Sequence, residues 1–282
     1  MSESTWSVPV TEALHASGVR VADIDTSATP GFRGDKKSGE LLLEQRRAVL
    51  SGLQEKLYAN GRSGDRRNIL LILQGMDTAG KGGIVRHVIG SVDPQGVDHA
   101  AFGVPTDQER RHHYLWRIRK QLPRGGQIGV FDRSHYEDVL VVRVHELVPP
   151  DVWGKRYDEI NRFERTIAAA GTTIVKVAMF ISLDEQRKRL TQRLDRPDKH
   201  WKFDPADIDE RAQWPAYQKA YQDVLDRTCT DYAPWYVIPS DRKWYSRLAV
   251  TELLIDALEK LDLAWPRARF DIEEQRRRLA AL

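Results

Sequence analysis

The stretch that decides the fold is ILLILQGMDTAGKGG, residues 69–83, in which an apolar run stops at a glycine. The apolar part is short and bounded, which is typical of a buried strand in a parallel sheet. From Gly75 to Lys81 the spacing is the G-x-x-x-x-G-K of a phosphate-binding loop. Glycines there allow a tight turn and close backbone approach, while loop amides and the next helix N-terminus face the anion. We therefore expect Gly75, Gly80, Lys81 and Gly82 to surround a phosphate.

The loop lacks the Ser or Thr that usually follows its lysine and binds magnesium, because Gly82 stands there. Asp77, inside the loop, would repel an anion unless a cation lay between them, and Mg²⁺ takes one or two carboxylates plus phosphate oxygens. A second acid, Asp132, follows the apolar run QIGVF in the manner of a Walker B carboxylate. We predict Asp77 and Asp132 as the magnesium ligands. A turn-stabilising Asx role is the structural alternative for Asp77.

Strand-like and helix-like segments alternate along the rest of the chain. The predicted strands are NILLILQ, VDHAAFGVP, GQIGVFDRS, TTIVKVAMFIS and APWYVIPSD. One helix is predicted before them, at residues 40–60, and others between them, including PTDQERRHHYLWRIRKQL with Thr106 as N-cap. This alternation predicts an α/β fold with a mostly parallel sheet flanked by helices on both faces. Ligands of such sheets bind beyond the carboxyl ends of the strands.

The chain divides into one domain and two appendages. Residues 1–40 are rich in Gly, Ser, Pro and Thr and are predicted to form an extended N-terminal arm. Residues 41–265 are predicted to form a single P-loop kinase-like domain. The charged segment 266–282, ending in EEQRRRLAAL, is predicted to contain a peripheral C-terminal helix.

A basic segment, RKRLTQRLDRPDKHWKF at residues 187–203, is a candidate lid. On a helix Arg189 and Arg193 are four residues apart and share a face. The positive charge continues beyond them with Arg196, Lys199 and Lys202. A basic helix running into a loop suits a lid, about residues 185–205, that closes over phosphates and excludes water. The alternative is a solvated helix face.

Composition restricts the class of protein. The 282 residues are 41% hydrophobic and 30% charged, and no stretch approaches the roughly 20 apolar residues of a membrane span. The N-terminus lacks the features of a signal peptide, and the single Cys229 excludes a disulfide framework and a cysteine-based metal site. We therefore expect a cytoplasmic protein without a membrane partner. The net charge of +3 is modest, but basic residues cluster at 110–124 and 187–202, which suggests a polyanionic ligand.

Several long motifs in one order resemble polyphosphate kinase family 2. They are GMDTAGKGG, FDRSHYEDVLVVRVHELVP, RLTQRLDRPDKHWKF and APWYVIPSDRKWYSRL, with TPGFRGDK and PTDQERRHHYLWR also similar, over residues 28–265. The resemblance implies a thymidylate-kinase-like P-loop fold and magnesium-dependent phosphate transfer between inorganic polyphosphate and nucleotides. It makes Asp77 the aspartate of the Walker A loop, places Asp132 and Arg133 in the Walker B segment, and places Arg189 and Arg193 in the lid.

The resemblance also bears on the nucleotide. Glu137 stands where branches that prefer nucleoside diphosphates usually have Asn, and the branch that also accepts AMP usually has an acid. It therefore implies ADP and AMP as substrates, adenine nucleotides first and guanine nucleotides as a further candidate. Trp116, Tyr136 and Trp201 are aromatic residues within the motifs, with base stacking and core packing as equal alternatives.

Phosphoryl transfer depends on positioning and charge neutralisation, so no protein nucleophile is expected. The predicted catalytic set is Asp77, Lys81, Asp132, Arg133, Arg189 and Arg193, with Mg²⁺ as cofactor. A basic track for polyphosphate is predicted at Arg117, Lys199 and Lys202, with Arg119 and Lys120 as further candidates.

Two other functions use the same features. An ATP-dependent nucleotide kinase would share the loop and the lid, and Gly82 argues against it. A basic α/β protein could instead bind nucleic acid through residues 110–124, but no aromatic–basic RNA motif of known form is present, so no nucleic-acid partner is expected. The family resemblance further implies a homo-oligomer, a dimer or a tetramer.

Overall fold

Five parallel strands form the centre of the protein, whose computed structural model describes residues 5–282. The strands are β1 Asn68–Gly75, β2 Val97–Ala101, β3 Ile128–Asp132, β4 Thr172–Phe180 and β5 Trp235–Pro239. Their order across the sheet is β2-β3-β1-β4-β5, and every neighbouring pair is parallel. The predicted α/β sheet is confirmed, and β1, which leads into the phosphate loop, is its central strand.

Helices cover both faces of the sheet. Within residues 5–282 the α-helices are α1 Val10–Ala13, α2 Lys36–Arg62, α3 Lys81–His87, α4 Asp107–Arg110, α5 Leu115–Lys120, α6 Val141–Val144, α7 Pro150–Ala169, α8 Leu183–Leu194, α9 Ala206–Glu210, α10 Trp214–Thr228, α11 Lys243–Glu259 and α12 Ile272–Ala280. Single 3₁₀ turns lie at Val21–Asp23, Ile89–Ser91, Pro94–Gly96, His135–Asp138, Pro197–Lys202 and Arg211–Gln213. Each described helix is too short or too polar to cross a lipid bilayer.

The central strand shows how the two layers are specified. Side chains of a strand alternate between the two faces of its sheet. Leu71 and Leu73 belong to the core shared with α2, α3 and α11, whereas Leu70 and Ile72 belong to the core shared with α5, α7 and α10. All four are fully buried. The unbroken apolar run in the sequence therefore reflects burial on both faces.

The described part of the N-terminal arm is packed against the sheet. Helix α2 begins at Lys36, earlier than expected, because Asp35 and Ser38 form a capping box. Upstream of it, the Leu14 carbonyl accepts a hydrogen bond from the Val237 amide, and the Ala16 amide donates to Trp235. Residues 10–32 are thus a cover for the β5 edge of the sheet rather than an extended arm. Residues 1–4 of the predicted arm lie outside the described residues.

Two further segments differ in detail from the sequence-based expectation. The helix predicted after β2 is broken into α4 and α5, because Leu115 and Ile118 are buried whereas α4 has no buried residue. Thr106 caps α4, as predicted, through a capping box with Glu109. The loop expected after α8 contains a 3₁₀ turn that Pro197 opens. At the C-terminus α12 has no buried residue.

Two glycines of α2 give a matched test of this packing. A Cβ on Gly61 would lie 2.5 Å from the Gly125 carbonyl oxygen and would also clash with Gly126 Cα, whereas a Cβ on Gly52 meets open space. We expect Gly61→Ala to lower the free energy of unfolding by about 1–3 kcal/mol through overpacking. Gly52→Ala should raise it by up to about 1 kcal/mol through helix propensity. Urea unfolding of both variants measures this, and a neutral Gly61→Ala would contradict the close approach.

Candidate active site

The phosphate loop connects the carboxyl end of β1 to the first turn of α3. Gly75 cannot carry a side chain, since a Cβ there would lie 2.7 Å from the carbonyl oxygen of Met179 on β4. Gly80, immediately before α3, has φ +122°, which favours glycine. Thr78 has φ +63°, a left-handed conformation that a β-branched residue rarely adopts. The loop is therefore held in a strained conformation by its surroundings, as is common at functional sites.

Lys81 begins α3 and folds back over the loop. Its Nζ donates a hydrogen bond to the Gly75 carbonyl and lies 3.4 Å from the Met76 carbonyl oxygen. Burial lowers the pKa of Lys81, although the nearby Asp77 carboxylate opposes this shift. The ammonium group thus lies at the mouth of the loop with much of its water already removed, where an anionic ligand would favour its charged form.

The two predicted magnesium ligands lie at neighbouring strand ends. Asp132 pairs in register with Leu73, and the next amide, that of Arg133, donates to the Leu73 carbonyl over 3.1 Å. Arg133 has φ +63°, and its Nη2 donates to Oδ1 of Asp77 over 2.9 Å. Asp77, Asp132 and Arg133 all line one cavity. The structure therefore brings both carboxylates and an arginine to the edge of the sheet where the phosphate loop lies.

Helix α8 braces the loop rather than moving freely above it. Arg189 is only 5% exposed, and its Nη1 donates to the carbonyls of Thr78 and Ala79 over 2.9 and 3.2 Å. From the same helix, Gln186 donates to the carbonyl of Asp77 over 3.1 Å. Although Arg189 borders the cavity, its Nη1 donates to the loop backbone and its Nη2 donates to the carbonyls of Ser240 and Asp241. Its role as a lid cation stays a prediction. Further along α8, Arg193 donates to Asp207 and to the Lys202 carbonyl.

The cavity in front of the loop has a volume of about 960 Å³ and a strongly positive lining. Its lysine and arginine residues are Lys81, Arg86, Arg133, Arg189, Arg193, Arg196, Lys199, Lys202, Lys243 and Arg247. Asp77 and Asp132 are its acidic residues among those the structure describes. An excess of cations around one cleft attracts polyanions and raises their local concentration.

Four basic residues that line the cleft were not predicted from the sequence. Arg86 and His87 come from the last turn of α3, and Lys243 and Arg247 come from the first turns of α11. Burial, followed by the charge of Arg47, lowers the pKa of Arg247. Lys243 and Arg247 are four residues apart and share a helix face, which was the available signal. Because they are far from the loop in sequence, their position in the cleft could not be predicted from it.

Other predicted residues lie elsewhere. Arg117 is 8% exposed and donates to the Gly103 carbonyl, so its prediction as a track residue is corrected to a structural role. Tyr136 is fully buried, with its ring 4.7 Å from that of Trp235, so it cannot stack on a nucleotide base in this structure. Trp116 does not line the cleft and stacks on His112 at 4.1 Å.

Three further candidates have side chains outside the cleft lining. The exposed Trp201 lies in the turn between Lys199 and Lys202 and stays a candidate. Arg119 lies over the ring of Phe163, and Lys120 lies over that of Trp116. The basic lining of the cleft thus comes from α3, α11 and the segment after α8 rather than from residues 110–124.

Glu137 lies behind the cleft lining and close to its charges. Burial raises the pKa of its carboxyl, against the opposing effects of Arg133 and Lys81. In turn, Glu137 and Asp77 outweigh burial at Arg133 and raise the pKa of that guanidinium. Glu137 is thus a partly buried acid whose charge is coupled to Arg133 and Lys81 of the cleft.

The chain is similar in sequence and in structure to proteins of one family. The family model described as Polyphosphate kinase 2 matches residues 33–264. This chain belongs to the polyphosphate kinase 2 family. Membership confirms the predicted enzyme class, a polyphosphate-dependent nucleotide phosphotransferase. A crystal structure of polyphosphate kinase 2 from Arthrobacter aurescens TC1 is 50% identical, with a TM-score of 0.96 over 98% of both chains.

Two relatives of this chain carry more specific names. An AMP/ADP-polyphosphate phosphotransferase of Meiothermus ruber is 48% identical over 242 residues, 86% of this chain and 89% of the relative. An ADP-polyphosphate phosphotransferase of Rhodopseudomonas palustris is 42% identical over 253 residues, 86% of each chain. The similarity therefore extends over nearly the whole length of both relatives.

The raised pKa of Glu137 predicts a pH-dependent effect on stability. A raised carboxyl pKa means that the folded protein binds the proton more tightly than the unfolded chain, so ionisation costs stability as pH rises through the folded pKa. Gln resembles the protonated acid at every pH. We therefore expect the free energy of unfolding of Glu137→Gln, relative to the unaltered protein, to increase between about pH 4 and pH 8. Urea titrations at both pH values measure this, and a constant difference would contradict the raised pKa.

Proposed function

We propose that this chain transfers the terminal phosphate of inorganic polyphosphate to ADP and also to AMP. The observation that carries the proposal is the cleft itself, in which ten lysines and arginines face two carboxylates at the mouth of a phosphate loop. Such an excess of positive charge suits a chain of phosphates together with a nucleotide better than a single nucleotide. The name of the Meiothermus ruber relative, with both AMP and ADP as substrates, supports both acceptors.

The transfer itself needs little covalent chemistry from the protein. In the proposed reaction an acceptor phosphate oxygen attacks the terminal phosphorus of polyphosphate in line, and the bond to the bridging oxygen breaks. Lys81 and Arg133 offset the charge that develops on the transferred group, because they lie at the loop mouth with their charges already positioned. Arg193, partly exposed at the end of α8, is the proposed cation on the opposite side.

Magnesium is the proposed cofactor, and the residues present fit it. Asp77 and Asp132 offer hard carboxylate oxygens to one cleft, which is the donor type that Mg²⁺ prefers. Within residues 5–282 no group of three or more His, Cys, Asp or Glu side chains is arranged to hold a metal, so phosphate oxygens and water would complete the coordination. When bound, the ion would neutralise phosphate charge. Asp77 would then exchange part of its contact with Arg133 for the ion.

The choice of acceptor is assigned to Glu137. Its carboxyl is coupled to Arg133 and Lys81, so its charge alters the field that both cations present to an acceptor phosphate. We propose that this residue supports the use of AMP, while base recognition is left to the exposed Trp201 and its surroundings. The expected homo-oligomer and cytoplasmic location stay predictions.

The polyphosphate chain is assigned to the side of the cleft formed by α3 and α11. Arg86, His87, Lys243 and Arg247 line that side. Arg86 and His87 also line a second groove of about 550 Å³, which Arg47 of α2 borders. A continuous basic path therefore leads away from the loop, and the opposite path lies along Lys199 and Lys202.

The proposed function is tested by supplying long-chain polyphosphate as the only donor, with magnesium, to AMP or to ADP. Formation of ADP and ATP from AMP, and of ATP from ADP, is expected. Formation of ATP from ADP, with no product from AMP, would support polyphosphate as the donor but contradict the role of Glu137. No product with polyphosphate, but turnover with ATP as donor, would overturn the proposal in favour of an ordinary nucleotide kinase.

The location of the polyphosphate path predicts a difference between two arginines. Arg247→Ala removes a cleft cation, and we expect the KM for polyphosphate to rise roughly 10-fold, since about 1.4 kcal/mol of binding would be lost. Arg124→Ala removes an exposed charge from the 110–124 cluster, outside the cleft, and should leave the KM unchanged. Steady-state kinetics at fixed ADP measure both. If the two variants raised the KM equally, residues 110–124 would also have to bind polyphosphate, and the proposed path would be contradicted.

A further inference from the structure

A four-residue turn, His135–Asp138, follows β3 directly, and three of its side chains are fixed by the core. His135 Nε2 and the hydroxyl of Tyr136 both hydrogen-bond to Oε1 of Glu164, over 3.1 and 2.9 Å. Asp138 accepts a hydrogen bond from Arg156 over 2.9 Å. The fourth side chain, Glu137, is the one whose charge reaches the cations of the cleft.

The anchor of this turn is a buried ion pair that the transfer reaction does not use. Glu164 of α7 and Lys176 of β4 are both fully buried, with Oε2 and Nζ 2.6 Å apart. Lys176 Nζ also donates to the Tyr136 hydroxyl over 2.8 Å and to the Thr228 carbonyl over 2.7 Å. Three acceptors therefore match the three donors of an ammonium group.

The contact between Glu164 and Lys176 has the geometry of an ion pair. Burial by itself would raise the pKa of Glu164, but Lys176 and His135 outweigh it and lower that pKa below its ordinary value. A buried ion pair is costly to desolvate and is often replaceable by apolar side chains without loss of stability. Its geometry is specific, however, because each donor must meet its acceptor.

The position of the Glu164–Lys176 pair in the fold connects the turn to the phosphate loop. Lys176 pairs in register with Ile72 of β1, three residues before the phosphate loop, and its other contacts reach α7 and the end of α10. The network therefore ties the turn that carries Glu137 to the strand that carries the loop. A shift of the turn would move Glu137 relative to Lys81 and Arg133.

We propose that Glu164 and Lys176 are positioning residues that hold the 135–138 turn so that Glu137 is directed at the phosphate-binding cations. Through the turn, they set the preference between AMP and ADP. The part that concerns acceptor preference rests on the proposed function of Glu137; the part that concerns the turn does not.

The test compares Lys176→Met, which leaves the Glu164 carboxylate buried without its partner, with the neutral pair Glu164→Gln/Lys176→Met. Leu50→Ala is the control, since Leu50 is equally buried but belongs to the opposite core. Tyr136→Phe is a milder variant that removes one hydroxyl of the network and keeps the ring, in case Lys176→Met does not fold. Hydrogen exchange is followed at the amides of Glu137, Val139 and Leu140, which bond within the turn.

We expect exchange at these amides to be about 10-fold faster in Lys176→Met than in Leu50→Ala, because only the former frees the turn. The ratio of kcat/KM for AMP to that for ADP should fall, and the neutral pair should restore most of it. Glu137→Asn, which replaces the acid itself, should lower the same ratio. In Tyr136→Phe both changes should occur to a smaller extent. General destabilisation, as in Leu50→Ala, lowers the amount of folded enzyme without changing the ratio.

Two results would overturn the inference. Turn exchange in Lys176→Met and Tyr136→Phe that matches the Leu50→Ala control would remove the positioning role. Faster turn exchange with an unchanged AMP to ADP ratio, where Glu137→Asn does change it, would remove the effect on acceptor preference. An unchanged ratio in Glu137→Asn itself would instead contradict the proposed function, and exchange would still decide the positioning role.

Discussion

The guanidinium of Arg189 joins three segments on which the phosphate cleft depends. It donates to the carbonyls of Thr78 and Ala79 in the loop and to those of Ser240 and Asp241 before α11, while α8 carries it. A planar group with five fixed donors can satisfy several carbonyls at once, which a lysine could not do. The loop can then keep a strained residue at its centre and direct its amides outward, because its own carbonyls already have partners.

The cleft carries an excess of positive charge that its ion pairs only partly offset. The cleft holds many cations and few acids, and burial together with neighbouring positive charge lowers the pKa of His87 and of Arg247. Like charges at short range destabilise the folded state until a polyanion enters, so part of the affinity for polyphosphate is relief of this repulsion. By mass action the same ligand stabilises the fold. Binding is accordingly expected to weaken as salt screens the charges.

What the sequence could and could not predict follows from the range of the interactions. The strands, the loop and the Thr106 cap depend on residues a few positions apart, and their patterns were sufficient. Arg117 and Tyr136 were predicted as candidate ligand-binding residues because they stand in motifs. The sequence does not show whether a cation or an aromatic ring is buried or exposed. Arg247 was missed because it meets the loop across more than 160 residues of sequence, a proximity that only the packed sheet creates.

The cover over the β5 edge has a consequence for synthesis of the chain. Leu14 leaves the ribosome early, but its partner Val237 is made 223 residues later. At typical rates of elongation the cover waits roughly 10–45 s for its strand. Until then its apolar residues are exposed, and afterwards the last strand arrives with a partner ready to pair with its open side. An unpaired strand edge invites other chains, so a segment made more than 200 residues before β5 protects that strand from intermolecular pairing.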